Sequence, residues 1–112
     1  MTISTHVLDT SIGEPAASIT VLLDRQSGTD WVHVSRGTTD RDGRVSALVP
    51  TNAPPGAGAY RLTFDVGDYF EALGVESFYS KITIDFIVRD AAAHYHVPLL
   101  LSPHGYSTYR GS

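Results

Sequence analysis

The 112-residue chain contains no cysteine. That absence removes disulfides, thiolate metal ligands and a cysteine nucleophile together, so any metal would need histidine or carboxylate ligands. Positive charge is also scarce: 8 Lys and Arg against 12 Asp and Glu leave a formal net charge of -4. Without a basic run there is no electrostatic footprint for nucleic acid or an anionic membrane surface. No window approaches the roughly 18 apolar residues of a membrane span. The start Met1-Thr2-Ile3-Ser4-Thr5-His6 lacks a basic segment followed by an apolar stretch, so the expected setting is the cytoplasm. Repeats, low-complexity tracts and dividing linkers are missing too, and a single domain over 1–112 is expected.

What is present is alternation at period two. In Tyr60-Arg61-Leu62-Thr63-Phe64-Asp65-Val66 every second residue is apolar, the pattern of a half-buried strand. Ile19 to Asp24 and Ile82 to Val88 repeat it, Trp31 to Arg36 and Val45 to Val49 show it more weakly, and Ile3 to Asp9 and His94 to Leu101 bring the count to at least seven strands. Turn signals separate them at Ser27-Gly28, Asp42-Gly43, Pro54-Pro55-Gly56, Gly67 and Gly105. One short helix fits residues 68–74, with Asp68 as cap, Glu71 three residues on, Gly74 as stop, and Phe70 and Leu73 sharing the buried side. The expected class is all-β, a two-sheet antiparallel sandwich. A chain of this size buries at best roughly two-thirds of its surface, so oligomerisation would help it.

Several residues bear chemistry. His6 shares a strand face with Ser4 and Leu8, and an imidazole there is ordinarily hydrogen-bonded or exposed; it also titrates where proton transfer to and from water is useful. His94 and His96, two apart, share a face and would permit a metal pair, but two ligands are not a site. Arg44 follows the tight Asp42-Gly43 turn, and its guanidinium can donate paired hydrogen bonds to planar oxygens. Asp40-x-Asp42-Gly43 begins like a calcium loop, but Thr51 stands where the loop's final acid belongs. Pro98 removes a backbone donor from its strand, which suits a bulge or an edge. Tyr109 and Ser112 lie in a terminal stretch, where disorder is the ordinary expectation.

Three blocks are shared with a known family: Ser4-Thr5-His6-Val7-Leu8-Asp9, Thr39-Asp40-Arg41-Asp42-Gly43-Arg44, and His94-Tyr95-His96-Val97-Pro98-Leu99-Leu100-Leu101-Ser102-Pro103 running on to Tyr106-Ser107-Thr108-Tyr109-Arg110-Gly111-Ser112. In these the chain resembles the 5-hydroxyisourate hydrolases of the transthyretin-like family, from end to end. The resemblance implies a transthyretin-like sandwich of about eight strands and a homotetramer with active sites where two dimers meet. It implies hydrolysis of 5-hydroxyisourate to 2-oxo-4-hydroxy-4-carboxy-5-ureidoimidazoline without cofactor or metal. It assigns His6, Arg44, His96 and Ser112 to catalysis, and His6, Arg44 and Tyr109 to substrate binding. His94 is left as a neighbour without a role. The rival it leaves is a transthyretin-type carrier that binds a small ligand without chemistry, and such a carrier has no need of His6, Arg44, His96 or the terminal Tyr109-Arg110-Gly111-Ser112.

Overall fold

A computed structural model describes residues 1–50, 52 and 55–112. Of the expected Pro54-Pro55-Gly56 turn, Pro54 lies outside the described residues, as does Thr51. The elements in chain order are β1 (Thr2–Asp9), β2 (Glu14–Pro15), β3 (Thr20–Ser27), β4 (Asp30–Thr38), β5 (Arg44–Val45), β6 (Gly58–Phe64), α1 (Val66–Ala72), β7 (Ile82–Val88), β8 (His94–Ser102) and β9 (Gly105–Thr108). They form two sheets. One has the order β4-β3-β6-β7; the other runs β2-β1-β8-β9, with β5 also paired to β1.

The alternation read from the sequence is the alternation of burial. Tyr60, Leu62 and Phe64 of β6 are fully buried, each stabilising the sandwich by on the order of 1.5–3 kcal/mol, while Arg61 between them forks across the outer face to both carboxylate oxygens of Asp85. The inner faces of β1 and β8 meet this core with Ile3, Val7, Leu99 and Leu101, all at 0% exposure. Because inward residues of β1 are odd-numbered, Thr2, Ser4 and His6 stand on its outer face.

The pairing is not wholly antiparallel. β1 and β8, from opposite ends of the chain, run parallel over eight pairs from Thr2↔His94 to Asp9↔Leu101. Two strands beyond the expected set appear, β2 and β9, and the expected Val45 to Val49 strand shrinks to Arg44–Val45, with Leu48 still buried and bonded to the Ile3 carbonyl.

The helix begins two residues earlier than expected and ends two earlier. Asp65, not Asp68, occupies the N-cap position, without a side-chain bond, and Asp68 sits in the first turn, where its charge meets the positive end of the helix dipole. Leu73 is the C-cap residue and 53% exposed. It has left the helical face, and the buried partner of Phe70 is Val66, one turn back. Gly74 follows with φ 70, the left-handed stop.

Pro98 lies in neither a bulge nor an edge strand but in β8, flanked by β1 and β9. The local pairing explains how it fits. The His96 carbonyl, two residues earlier and so on the same side, accepts the Gly111 N–H, and the Pro98 carbonyl accepts the Thr108 hydroxyl at 2.7 Å. The missing donor therefore faces the place where the chain leaves β9 at Thr108 and before it rejoins β8 at Gly111.

Candidate active site

The strand register lays the chemistry-bearing residues out in rows across the outer face of the β5-β1-β8 sheet. His6 is opposite Arg44 on one side and Pro98 on the other. One row along, Ser4 is opposite His96, which bridges to Gly111. A further row places Thr2 opposite His94. Residues from near both ends of the chain and from its middle thus meet on one surface.

Arg44 is held by the turn before it. Asp40 Oδ1 accepts the backbone N–H groups of Asp42 and Arg44, at 2.9 and 3.0 Å. The Arg44 N–H holds this carboxylate below its ordinary value of 3.8, against a smaller opposing effect of burial. Gly43 closes the turn with φ 76, and a Cβ there would lie 2.3 Å from the Val7 carbonyl, so only glycine lets the turn dock on β1. With Val45 turned into the core, Arg44 is presented outward.

Ser4 joins the two histidines of β8. Its Oγ lies 2.8 Å from His96 Nδ1 and 3.3 Å from His94 Nε2, and His94 Nδ1 meets the Thr2 hydroxyl. The imidazole rings are nearly parallel, 6.3 Å between centroids. Because Nδ1 of His96 is committed to Ser4, Nε2 is the nitrogen left without a partner among the described residues. Burial pushes the His96 imidazole below the ordinary histidine value of 6.5, and the nearby charges of Arg44, His94 and His6 push the same way. A neutral imidazole next to a guanidinium can accept a proton while the cation stabilises negative charge on a neighbouring oxygen.

A cleft of about 240 Å³ opens here, lined by Ser4, Thr5, Arg44, Val45, Ser46, His94, His96 and Ser112. Arg44, His96 and Ser112 are thus brought together. His6 is adjacent to Arg44 in the sheet but stands beside the cleft and outside its lining. Tyr109 is 58% exposed and lines a separate cavity with Ile84, Phe86, Tyr95 and Val97. Arg110 reaches back to the His94 carbonyl at 3.3 Å and lies over the Tyr95 ring. Among the described residues no three His, Asp or Glu side chains are placed to share a metal ion. His33 is on the other sheet, next to Asp24.

Sequence reasoning gives Thr2 and Ser4 no role, and it weighs Asp40 only as part of a turn that begins like a calcium loop. For the first two the signal was there: Thr2, Ser4 and His6 repeat at period two and so share a face. Their contact with His94 and His96 depends on a parallel pairing across some ninety residues, which no local pattern reveals.

A family model described as HIUase/Transthyretin matches residues 3–111. A 5-hydroxyisourate hydrolase of Salmonella dublin is 44% identical over 110 residues, covering 98% of this chain and 80% of its own. The solved structure of Klebsiella pneumoniae 5-hydroxyisourate hydrolase superposes with a TM-score of 0.86 at 39% identity over the whole of both chains. That of sea bream transthyretin in complex with thyroxine gives 0.91 at 28% identity, covering 99% of this chain and 95% of its own. Backbone shape is thus shared by a hydrolase and a thyroxine-binding protein, and the side chains on it must separate the two.

Proposed function

The chain belongs to the HIUase/transthyretin family, and from that premise we propose that it is a 5-hydroxyisourate hydrolase of urate degradation, opening the substrate ring with water to give 2-oxo-4-hydroxy-4-carboxy-5-ureidoimidazoline. The observation that carries the reading is the placing of Arg44 and His96 in one cleft, with His6 adjacent to Arg44 in the sheet. Two sequence-distant imidazoles and a guanidinium brought to one sheet face are the groups that carbonyl hydrolysis needs. Identity favours the hydrolase over the thyroxine-bound structure, 39% against 28%.

In the proposed mechanism Arg44 binds the planar oxygens of the substrate and polarises the carbonyl under attack. His96 and His6 hold the water and take its proton, which then goes to the departing ring nitrogen. Ser112, at the cleft wall, orients the water or an imidazole. A covalent serine route would require a base with an orienting carboxylate, and the His96 imidazole in the same cleft is bonded to Ser4 instead.

The assembly proposed is a homotetramer with the cleft facing a second copy, and the setting proposed is the cytoplasm. A cleft of about 240 Å³ is smaller than the roughly 300–1,000 Å³ of ordinary ligand sites, which favours completion by a neighbour. The exposure of Tyr109 suits a substrate contact made in such an assembly.

The test is direct. 5-Hydroxyisourate, generated from urate by a urate oxidase, decays spontaneously and is followed by its ultraviolet absorbance. Catalytic amounts of the protein should accelerate that decay many-fold. A decay unchanged by the protein would leave the carrier reading in its place.

A further inference from the structure

The chain Thr2–His94–Ser4–His96 is continuous. It begins at a half-buried imidazole in the cleft and ends at an exposed one: Ser4, 8% exposed, sits between His96 and the exposed His94. A hydroxyl has one proton to give and can accept, so Ser4 cannot donate to both rings at once. It donates to one and accepts from the other.

The two arrangements differ in what His96 offers the cleft. When His96 donates Nδ1–H to Ser4, Ser4 donates to His94 Nε2, and His96 Nε2 carries a lone pair: the imidazole is a base. When the direction reverses, His94 donates Nε2–H to Ser4, Ser4 donates to His96 Nδ1, and His96 Nε2 carries the proton: the imidazole is an acid.

We propose that Ser4 and His94 are a proton relay that positions and recharges His96, so that one imidazole serves as base and then as acid within a turnover. The proposal rests on the hydrolase reading above and adds to it a role for two residues outside the bond-breaking machinery.

The step balances as follows. His96 Nε2 takes a proton from the attacking water and releases its Nδ1 proton to Ser4 Oγ. The original Ser4 proton passes to His94 Nε2, and His94 releases its Nδ1 proton through the Thr2 hydroxyl to solvent. One proton enters the chain and one leaves, no oxidant or reductant is involved, and the positive charge ends outside the cleft. His96 is left neutral with Nε2–H, ready to protonate the departing nitrogen; the carboxylic acid produced ionises. Transfer of that second proton and recovery of one from solvent through His94 restores the starting tautomer.

The surroundings favour moving the charge out. The titratable and charged groups facing the pair are Arg44 from β5 and His6 from β1, while Arg110, bonded to the His94 carbonyl, carries its guanidinium over the Tyr95 ring. A proton kept on His96 would sit beside the Arg44 guanidinium in a partly desolvated site, whereas His94 is open to water. A merely structural Ser4 would need neither a second imidazole nor an exposed end to the chain.

The experiment compares wild type, Ser4→Ala, Ser4→Thr and His94→Ala, with the histidine tautomers read by nitrogen-15 NMR. The relay predicts that Ser4→Ala and His94→Ala lower kcat by about tenfold to a hundredfold with KM within twofold, that Ser4→Thr recovers most of the loss, and that free imidazole restores kcat in His94→Ala while leaving wild type unaffected. In Ser4→Ala the His96 tautomer preference should shift. Normal kcat in Ser4→Ala and His94→Ala, or losses in KM alone, would overturn the relay. If wild type itself fails to hydrolyse the substrate, the functional reading falls, and an unaltered His96 tautomer in Ser4→Ala would separately overturn the hydrogen-bond chain.

Discussion

Gly111 presses its backbone against the His96 ring: its N–H donates to the His96 carbonyl at 2.8 Å, and a Cβ at position 111 would lie 2.5 Å from His96 Cδ2 and 3.2 Å from Pro98 Cγ. The glycine of the terminal signature therefore sets where the imidazole stands. Gly111→Ala should push the ring away and lower kcat/KM by tenfold or more, since displacements of about 1 Å in a reacting group can cost on the order of a hundredfold. Far-ultraviolet circular dichroism should be unchanged, because the contact lies outside the core. Full activity in Gly111→Ala would show that the ring position is set elsewhere.

The His96 imidazole should titrate below 6.5, chiefly through burial and next through Arg44. Arg44→Met should raise its midpoint without bringing it to the ordinary value, because burial persists. Proton NMR of the ring reads this without any activity. The sign for stability follows. Above 6.5 the group is neutral in both states and contributes nothing; as pH falls below 6.5 the unfolded chain binds the proton first, and the fold loses stability until the folded midpoint is passed. A midpoint in Arg44→Met equal to or below that of wild type would refute the electrostatic coupling.

The Asp9 carboxylate, 1% exposed at the end of β1, accepts bonds from the Ser11 N–H, the Ser11 hydroxyl and the Tyr69 hydroxyl of α1. Burial and the neighbouring carboxylate hold the Tyr69 phenol protonated. Tyr69→Phe removes one donor from a buried acceptor and should cost about 1–3 kcal/mol of stability. Denaturant unfolding at fixed protein concentration measures it, and an unchanged midpoint would mean that the bond is replaced by another.

Gly43→Ala tests the mount of Arg44. The new Cβ would meet the Val7 carbonyl at 2.3 Å in a backbone with φ 76, so both strain and collision act against it. The turn should shift, raising KM for the substrate together with a loss of stability of at least about 1 kcal/mol. A variant with unchanged KM would separate the turn geometry from the placement of the guanidinium.

Much of this fold was legible because period-two alternation reports burial directly: Tyr60, Leu62 and Phe64 point inward as their spacing requires. Asp68 has the pattern of a cap and points to a helix start two residues late, whereas β6 runs straight into the helix at Val66 and leaves the cap position to Asp65. β9 follows Gly105 and the Leu101-Ser102-Pro103 segment without an alternation of its own, and the fit of Pro98 depends on the gap in pairing between Thr108 and Gly111 that it faces. For the site, resemblance supplied His6, Arg44, His96 and Ser112, and the register explains why the first three cluster. The Ser4 bridge between the histidines was out of reach, because its geometry exists only once the two ends of the chain lie parallel.

The most direct test of the account is the rate of 5-hydroxyisourate decay with wild type beside His6→Ala, Arg44→Ala and His96→Ala, each first shown by circular dichroism and gel filtration to keep the wild-type fold and assembly. The account predicts clear acceleration by wild type and loss of most of it, about a hundredfold or more, in each variant. Wild-type rates in all three variants would contradict it.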